Sequence, residues 1–434
     1  MSTNAGLKAE WLAKGYEDFT QGLNGLSDSP VSSLRVRAFN ELQDKGFEST
    51  KTESWKYTNV RDLMKLPLSI VKGKVNEVSD SLTPYCFSDE QAFVVVVQDG
   101  VPLKLPQELP SGVRIRSLAD VLHSASEATE VKEFIKKFPT EDTHAFELLN
   151  TAFLKDGIVI DIEAGVVLER VIQIVYASSA TSTHIVQAPR LLVRMQANAT
   201  AEIVEHFVGL GARHYLMSAV AQVEVGAGAR CNHYKIQEEG AEATHVGAVS
   251  VLQDSSSHYK NFVFNFGGQM VRNEVRPVLN GTEINSELFG LNILVNDQFV
   301  DNFTILDHAQ PDSESNELYK GIYGGSSKAI FSGTIIVRPG AHGTNAIQSN
   351  QSLLVTDRAS SNSRPQLKIW ADDVKCTHGA TVGQIDEEAL FYLRSRGLSE
   401  NVARRLLMRA FVGEVVAEVD SDVVRSYVDS VVER

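Results

Sequence analysis

A chain of 434 residues exceeds what one ordinary compact core holds, so it calls for two or three structural units or one elongated, repetitive body. Its 43% hydrophobic and 22% charged residues are those of a globular protein. The net charge of −14 excludes the basic face that nucleic acid requires and opposes docking on anionic lipid.

Residues 1–8 contain no apolar run of signal-peptide length, and the densest apolar run, Phe93 to Val97, is too short to cross a bilayer. Cys86, Cys231 and Cys376 cannot make a disulfide framework, and free thiols suit a reducing compartment. A cytoplasmic location is expected.

In chain order, Leu7, Trp11, Leu12 and Phe19 predict a first helix by their near i/i+4 spacing. A second is expected from Ser32 or Ser33, with Leu34, Ala38 and Leu42 on one stripe and Gly46 as its left-handed stop. Trp55-Lys56-Tyr57 reads as packing of a helix cap against the body rather than as a binding site. Phe93 to Val97 predicts a buried strand turning at Asp99-Gly100, and Leu118 to Phe138 a helix ending before Pro139.

From about Gly157 to Gly383, short Val/Ile-rich strands alternate with small-residue corners at Gly165, Asn198, Gly228, Asn280-Gly281 and Pro339-Gly340. Spacings near 30, and near twice that, mark a repeat architecture. A propeller blade needs a longer period, and a sandwich more two-residue hairpin turns. A mainly β chain built on a parallel β-helix is the expected fold, flanked by α-helical segments. The expected division is 1–150 for a mainly helical α+β region, 151–383 for the β-helix and 384–434 for a helical domain. In the last part Asp386 and Ser399 are expected to cap helices, and Gly397 to stop the first of them. Leu407, Phe411, Val415 and Val419 form an apolar stripe, with Arg404, Arg405 and Arg409 off it. A third short helix is expected from Asp422 to Val432. One helical face is expected to pack on the open end of the solenoid, leaving another for a partner.

Chemistry-bearing motifs are few. No phosphate-binding G-x-x-x-x-G-K-[ST] and no G-x-S-x-G elbow occur. Gly321-Ile322-Tyr323-Gly324-Gly325 reads as a solenoid turn, and Val225-Gly226-Ala227-Gly228 lacks the context of a dinucleotide fingerprint. His206, His233, His245, His258 and His308 fall in the β region, where each alone reads as a satisfied structural histidine. Cys231 reads as a small buried hydrophobe. The remaining motif is Cys376-Thr377-His378, a thiol and an imidazole two residues apart. On a strand they share one face at roughly 6–7 Å between Cα atoms. They can then address one object: a metal, a sulfur species or a facing protein surface. Gly379 beside them admits close approach of another backbone. A tetrahedral metal site needs about four ligands, so further ligands must come from afar or from another chain.

Lys375-Cys376-Thr377-His378-Gly379-Ala380-Thr381 resembles a signature of the SufB/SufD family of iron–sulfur cluster assembly scaffold subunits. The resemblance extends through Ser332-Gly333, Arg338-Pro339-Gly340-Ala341, Pro365-Gln366-Leu367, Val382-Gly383 and the Arg404-Arg405-Leu406-Leu407 helix. Near the N-terminus it takes in Glu53-Ser54-Trp55-Lys56-Tyr57-Thr58. Gly379, where SufB-type chains usually carry Glu, places the chain on the SufD side. The resemblance implies a right-handed β-helix and a heterodimer with a SufB-like paralogue through the C-terminal solenoid edges. It implies a SufC-like ATPase docked on the C-terminal helices through Arg404, Arg405, Leu406 and Arg409. It also implies His378 as a ligand for iron or a nascent cluster, with Cys376 beside it and a partner cysteine completing the site. Sulfur would arrive indirectly from a cysteine desulfurase. Reduced flavin belongs to the whole complex, without residues assigned here. On this reading the chain is not itself an enzyme and binds no stable cofactor alone, and its free solenoid edge offers a route to a homodimer. Two other readings stay open: a β-helix carbohydrate-active enzyme using Asp372-Asp373, and a purely structural solenoid.

Overall fold

The computed structural model describes residues 6–23, 25–70, 77–179, 184–211 and 214–433. From Gly157 to Gly383 strands fall alternately into two sheets. One sheet ends in Thr244–Gln253, Met270–Leu279, Phe299–His308, Lys328–Val337 and Ser360–Ile369. The other ends in His258–Asn265, Asn285–Leu294, Glu314–Tyr323, Asn345–Leu354 and Lys375–Gly383. All these neighbours pair in parallel, so the chain climbs as the expected parallel solenoid, built here of two sheets. Thr244 stacks on Met270, Met270 on Phe299, Phe299 on Lys328 and Lys328 on Ser360, which are steps of 26, 29, 29 and 32 residues.

One left-handed residue per coil turns the chain at the same corner. Gly165, Asn198, Gly228, Ser256, Glu283, Asp312, Gly343 and Asp373 have φ of 73, 59, 67, 58, 57, 58, 72 and 55°. From Gly165 to Gly343, each donates its N–H to a carbonyl at the matching corner of the next coil, at 2.8–3.0 Å. The doubled spacing in the sequence is thereby explained. Two intervening corners are held by Ser256 and Asp312, which carry no glycine signal although they adopt the glycine-favouring conformation.

Strands of the N-terminal part start both sheets. Ala92–Gln98 lies parallel to Val171–Ser178, and Val113–Ser117 antiparallel to Gly157–Ile162. The helices Trp11–Gln21, Ser32–Lys45 and Ala145–Ala152 bury Leu12, Phe19, Ala38, Leu42, Phe146 and Leu149 against Leu192, Leu216 and Val246 of the first sheet. Gly46, at φ 73°, ends the second helix as expected. Two expectations shift. Leu7 forms an isolated bridge with Phe47 outside any helix. The segment after Leu118 is two helices, Leu118–His123 and Ala125–Lys136, because the Ser124 hydroxyl caps the second through the Glu127 N–H.

The C-terminal helices Glu387–Ser395, Glu400–Ala417 and Asp422–Val432 lie where expected, with the Asp386 carboxylate capping the first. Ser399 stands at the next N-cap without a side-chain cap bond. Their placement corrects one expectation. Val412, Val415, Val419, Val424 and Val428 cluster with Tyr234, Phe262, Phe289 and Leu318, so the helices cover the outer face of the second sheet and not its end. Tyr234, Phe262 and Phe289 form a stacked column there, 4.9 and 4.8 Å between ring centres, and this column is the apolar floor that holds the helices.

Inside the solenoid a polar spine replaces part of the aliphatic core. Asn265 stacks in register on Asn292, and Asn273 on Asn302. Four amide bonds of 2.6–3.1 Å close these residues into a box across the two sheets. Lys235 anchors one end through Asn273 and His245, both at 2.7 Å, and Tyr323 the other through Asn292 at 3.2 Å. Such a ladder is satisfied only in one register, because a slip of one residue turns every amide outward. Asn292→Ala strands three partners, Asn265, Asn302 and Tyr323. It should lower unfolding stability by about 2–4 kcal/mol, read as a lower urea midpoint at unchanged m-value.

Candidate functional site

The two last strands each pair on one side only, Ser360–Ile369 with Lys328–Val337 and Lys375–Gly383 with Asn345–Leu354. The solenoid therefore ends in two open edges, whose free backbone groups form no further ladder among the described residues. Nearly every residue of Lys375–Gly383 is exposed. Trp370 at the corner between the strands is 60% exposed, and Ile369 and Val382 stand exposed beside it.

Cys376 and His378 sit on this last strand. Stacked residues of a parallel ladder point the same way, so Cys376 follows buried Ala346 and His378 follows buried Gln348 toward the lumen. The pair lines the mouth of the solenoid, facing a strand whose Ser363, Pro365 and Leu367 stack over inward Phe331, Gly333 and Ile335. His378 is exposed. Cys376 is half-buried against the core, and burial pushes its thiol pKa up, so it needs a metal or a base to become a thiolate. A side chain at Gly379 or Gly383 would meet nothing within 4 Å, so this chain alone sets no steric demand for glycine there.

Beneath the mouth, Gln348 bridges the lumen. Its amide donates to the Glu317 carboxyl and lies where any Cβ at Gly333 would collide with it, which accounts for the glycine of Ser332-Gly333. Burial without a cationic partner pushes the Glu317 carboxyl up to about 7.

The Glu53–Thr58 segment is a strap across the first sheet. Trp55 is buried under the Arg272 guanidinium at 4.1 Å and stacks on Phe146 at 5.4 Å. Thr58 donates to Asp301, while Glu53 and the Tyr57 ring both engage Arg364 on the last strand of that sheet. The segment packs against the body, as expected, with Trp55 as its buried anchor.

On the helix Glu400–Ala417, Arg405 and Leu406 are exposed. Arg404 is tied to Glu400 at 3.0 Å and Arg409 to Glu433 at 2.5 Å. Sequence reasoning missed Phe391, which is 73% exposed, and Tyr392. Both lie on the preceding helix, whose inward residue is Leu390. Two adjacent aromatics beside a stripe were the available signal.

The histidines of the sheets are mostly occupied. His206 contacts Glu238, His233 contacts Glu205 and Tyr259, His245 contacts Glu239 and Lys235, and His308 contacts Ser315, at 2.6–3.0 Å. Cys231 is buried as expected, and His342 is exposed at its corner. The buried group His144, Glu147 and Glu274 has metal-like spacing, yet its chemistry opposes a metal. The His144 Nδ1 accepts the N–H groups of Phe146 and Glu147, which leaves the ring proton on Nε2, the only nitrogen able to ligate. Both carboxylates are also paired with Arg272 or Arg276. Asp372 and Asp373 lie exposed in the corner before the last strand.

A family model described as the SufBD core domain of the SUF iron–sulfur cluster assembly system matches residues 176–411. A second, described as the SufBD protein N-terminal region, matches residues 8–174. The chain is 32% identical over 428 residues to the chloroplastic protein ABCI7 of Arabidopsis thaliana, covering 93% of this chain and 86% of that one. It is 28% identical to the iron–sulfur cluster assembly protein SufD of Escherichia coli, covering 90% and 89% of the two chains. With the SufD of Bacillus subtilis it shares 25% identity over 93% of each chain. Among the described residues no helix is long and apolar enough to cross a membrane.

The raised Glu317 pKa sets a pH test. Between pH 4.5 and about 7 the folded chain holds a proton that the unfolded chain has released, so stability should fall as pH rises through that window. Glu317→Gln should remove this loss, matching wild type at pH 4.5 and exceeding it at pH 7.5 in thermal melts.

Proposed function

This chain belongs to the SufBD family of iron–sulfur cluster assembly proteins, and on that premise we propose that it is a SufD-type scaffold subunit that supplies half of a cluster-building site. The observation that carries the reading is the placement of Cys376 and His378 at the open mouth of the solenoid, on a strand with a free edge. Imidazole and thiolate are both iron ligands. A seat split between two chains lets a nascent cluster leave when they separate.

The partner is a SufB-like paralogue joined edge to edge, whose cysteine completes the ligand set. The exposed Trp370, Ile369 and Val382 and the unconstrained Gly379 supply an apolar rim and room for a close backbone. A SufC-like ATPase docks on the C-terminal helices, where Phe391, Tyr392 and Leu406 form the apolar part of the surface and Arg405 its cation, with Arg404 and Arg409 at the margin. Nucleotide-driven movement of the ATPases then strains and opens the heterodimer. Sulfur comes indirectly from a cysteine desulfurase, and any reduced flavin belongs to the assembled complex. The chain itself is non-catalytic and works in the cytoplasm. Iron and the nascent cluster are cargo, held transiently at the interface.

His378→Ala should leave the fold and partner binding intact while abolishing cluster formation in the reconstituted complex. Full assembly by that variant, followed by the absorbance of the cluster, would remove His378 from the ligand set. Deleting the residues after Gly383 should end co-purification of the ATPase, and so should Phe391→Ser with Leu406→Ser, which leaves the buried face of the helices on the sheet; retained co-purification by both variants would reject the helical docking surface.

A further inference from the structure

Ligand-bearing side chains also gather away from the mouth, at a corner near the start of the solenoid. The strand Tyr215–Val225 lies between Ile185–Gln187 and Thr244–Gln253, so Ile185 stacks on Tyr215 and Leu216 on Thr244. Carrying both registers back by one or two residues puts His184, His214 and Glu242 in one column on three successive coils.

Contacts between the three residues match that register. The His184 N–H donates to the His214 carbonyl at 2.7 Å, and the two imidazoles stand nearly parallel, with 12° between planes and 5.9 Å between centres. His214 Nε2 lies 3.7 Å from a Glu242 carboxylate oxygen. That is too long for a good hydrogen bond, and close to the roughly 3.4 Å between two ligand atoms on one tetrahedral ion. Parallel strands lie about 4.8 Å apart, so a lean of the two rings toward each other brings their nitrogens to the same separation. Glu242 and His214 are each 47% exposed and His184 is half-buried, so rotation of these side chains is enough to close the set. His184 holds a left-handed φ of 61°, which histidine tolerates better than most side chains.

We propose that His184, His214 and Glu242 form a site for one divalent transition-metal cation of the Fe²⁺ to Zn²⁺ series, with water completing its shell. Two imidazoles and a carboxylate are a borderline donor set, which selects such ions over Mg²⁺ and Ca²⁺. The cation bridges three coils where the N-terminal strand Ser69–Ile70 joins the sheet, the Ser69 N–H donating to the His184 carbonyl at 2.9 Å. The unfolded chain has no such column, so binding stabilises the first coils and the attachment of that strand. Thr244–Gln253, which follows Glu242, is four strands below Ser360–Ile369 in the same sheet. The site therefore shares no ligand with Cys376 and His378 and stands independently of the split seat.

The test titrates the untagged full chain with Zn²⁺ by calorimetry and follows its melting temperature. Thiol and imidazole at the mouth also attract zinc, so the full chain carrying Cys376→Ser and His378→Ala is the reference. It should bind one Zn²⁺ and melt higher with the metal than without it. Adding His184→Asn, which keeps a residue suited to the left-handed backbone, and His214→Ala should abolish both the binding and the rise in melting temperature. Adding Glu242→Gln alone should weaken binding by roughly tenfold or more. Absence of zinc binding by the reference chain, or equal binding once both histidines are replaced, overturns the site.

Discussion

In-register stacking of parallel strands is the constraint on which everything else in this molecule depends. Each coil satisfies its backbone through the coil above and the coil below, and each inward side chain lies on a counterpart one coil away. At the end near Gly383 that supply stops. Ser360–Ile369 and Lys375–Gly383 keep a neighbour on one side and lose it on the other. Stacking therefore makes the interior rigid and also creates the open edge, with the Cys376 and His378 pair on it. The reactive groups need no special loop, because they are the last inward rung of the ladder.

The solenoid manages this edge without covering it. Both outer faces are sheathed, one by the N-terminal helices and one by the C-terminal helices, while the end between them stays bare. Arg364, on the outside of one terminal strand, is held by Glu53 and Tyr57 of the strap. The inside of the same strand faces the mouth. Bracing from without keeps a strand flat and correctly spaced when half of its hydrogen-bonding partners are missing. The Glu53–Thr58 element braces one terminal strand and the Cys376–His378 element stands on the other, so segments far apart in sequence serve the same open end.

The sequence made the repeat legible through its corners and concealed it where the corners changed chemistry. Gly165, Asn198 and Gly228 announced themselves as residues that tolerate a left-handed backbone. Ser256 and Asp312 occupy equivalent corners and adopt the same conformation at a steric cost, so the period seemed to double. Helix limits at Gly46, Asp386 and Gly397 were readable because caps are local chemistry. The polar spine was not readable. A buried Asn273 and an exposed asparagine on a strand look alike to a period-two pattern, and only register distinguishes them. Glu317 was hidden for the same reason, since nothing near it in sequence shows that Gln348 and Thr304 close over it. The Cys376–His378 pair was legible as chemistry; that it stood on a terminal rung needed the topology.

The interior of such a solenoid is usually where chemistry is absent, and this one grades from inert to reactive along its axis. Aliphatic layers dominate around Ile158 and Leu191, the amide box around Asn273 and Asn292 follows, then Glu317 under Gln348, and at the mouth Cys376 and His378. Burial controls the gradient. In the asparagine box every side-chain amide is bonded, as the low dielectric of the interior favours. At the mouth itself His378 is exposed to water, and burial no longer demands a partner from this chain. An unpaired strand edge is what a second protein can satisfy. The fold stops one coil short of satisfying itself, and what it lacks there is what a partner would bring.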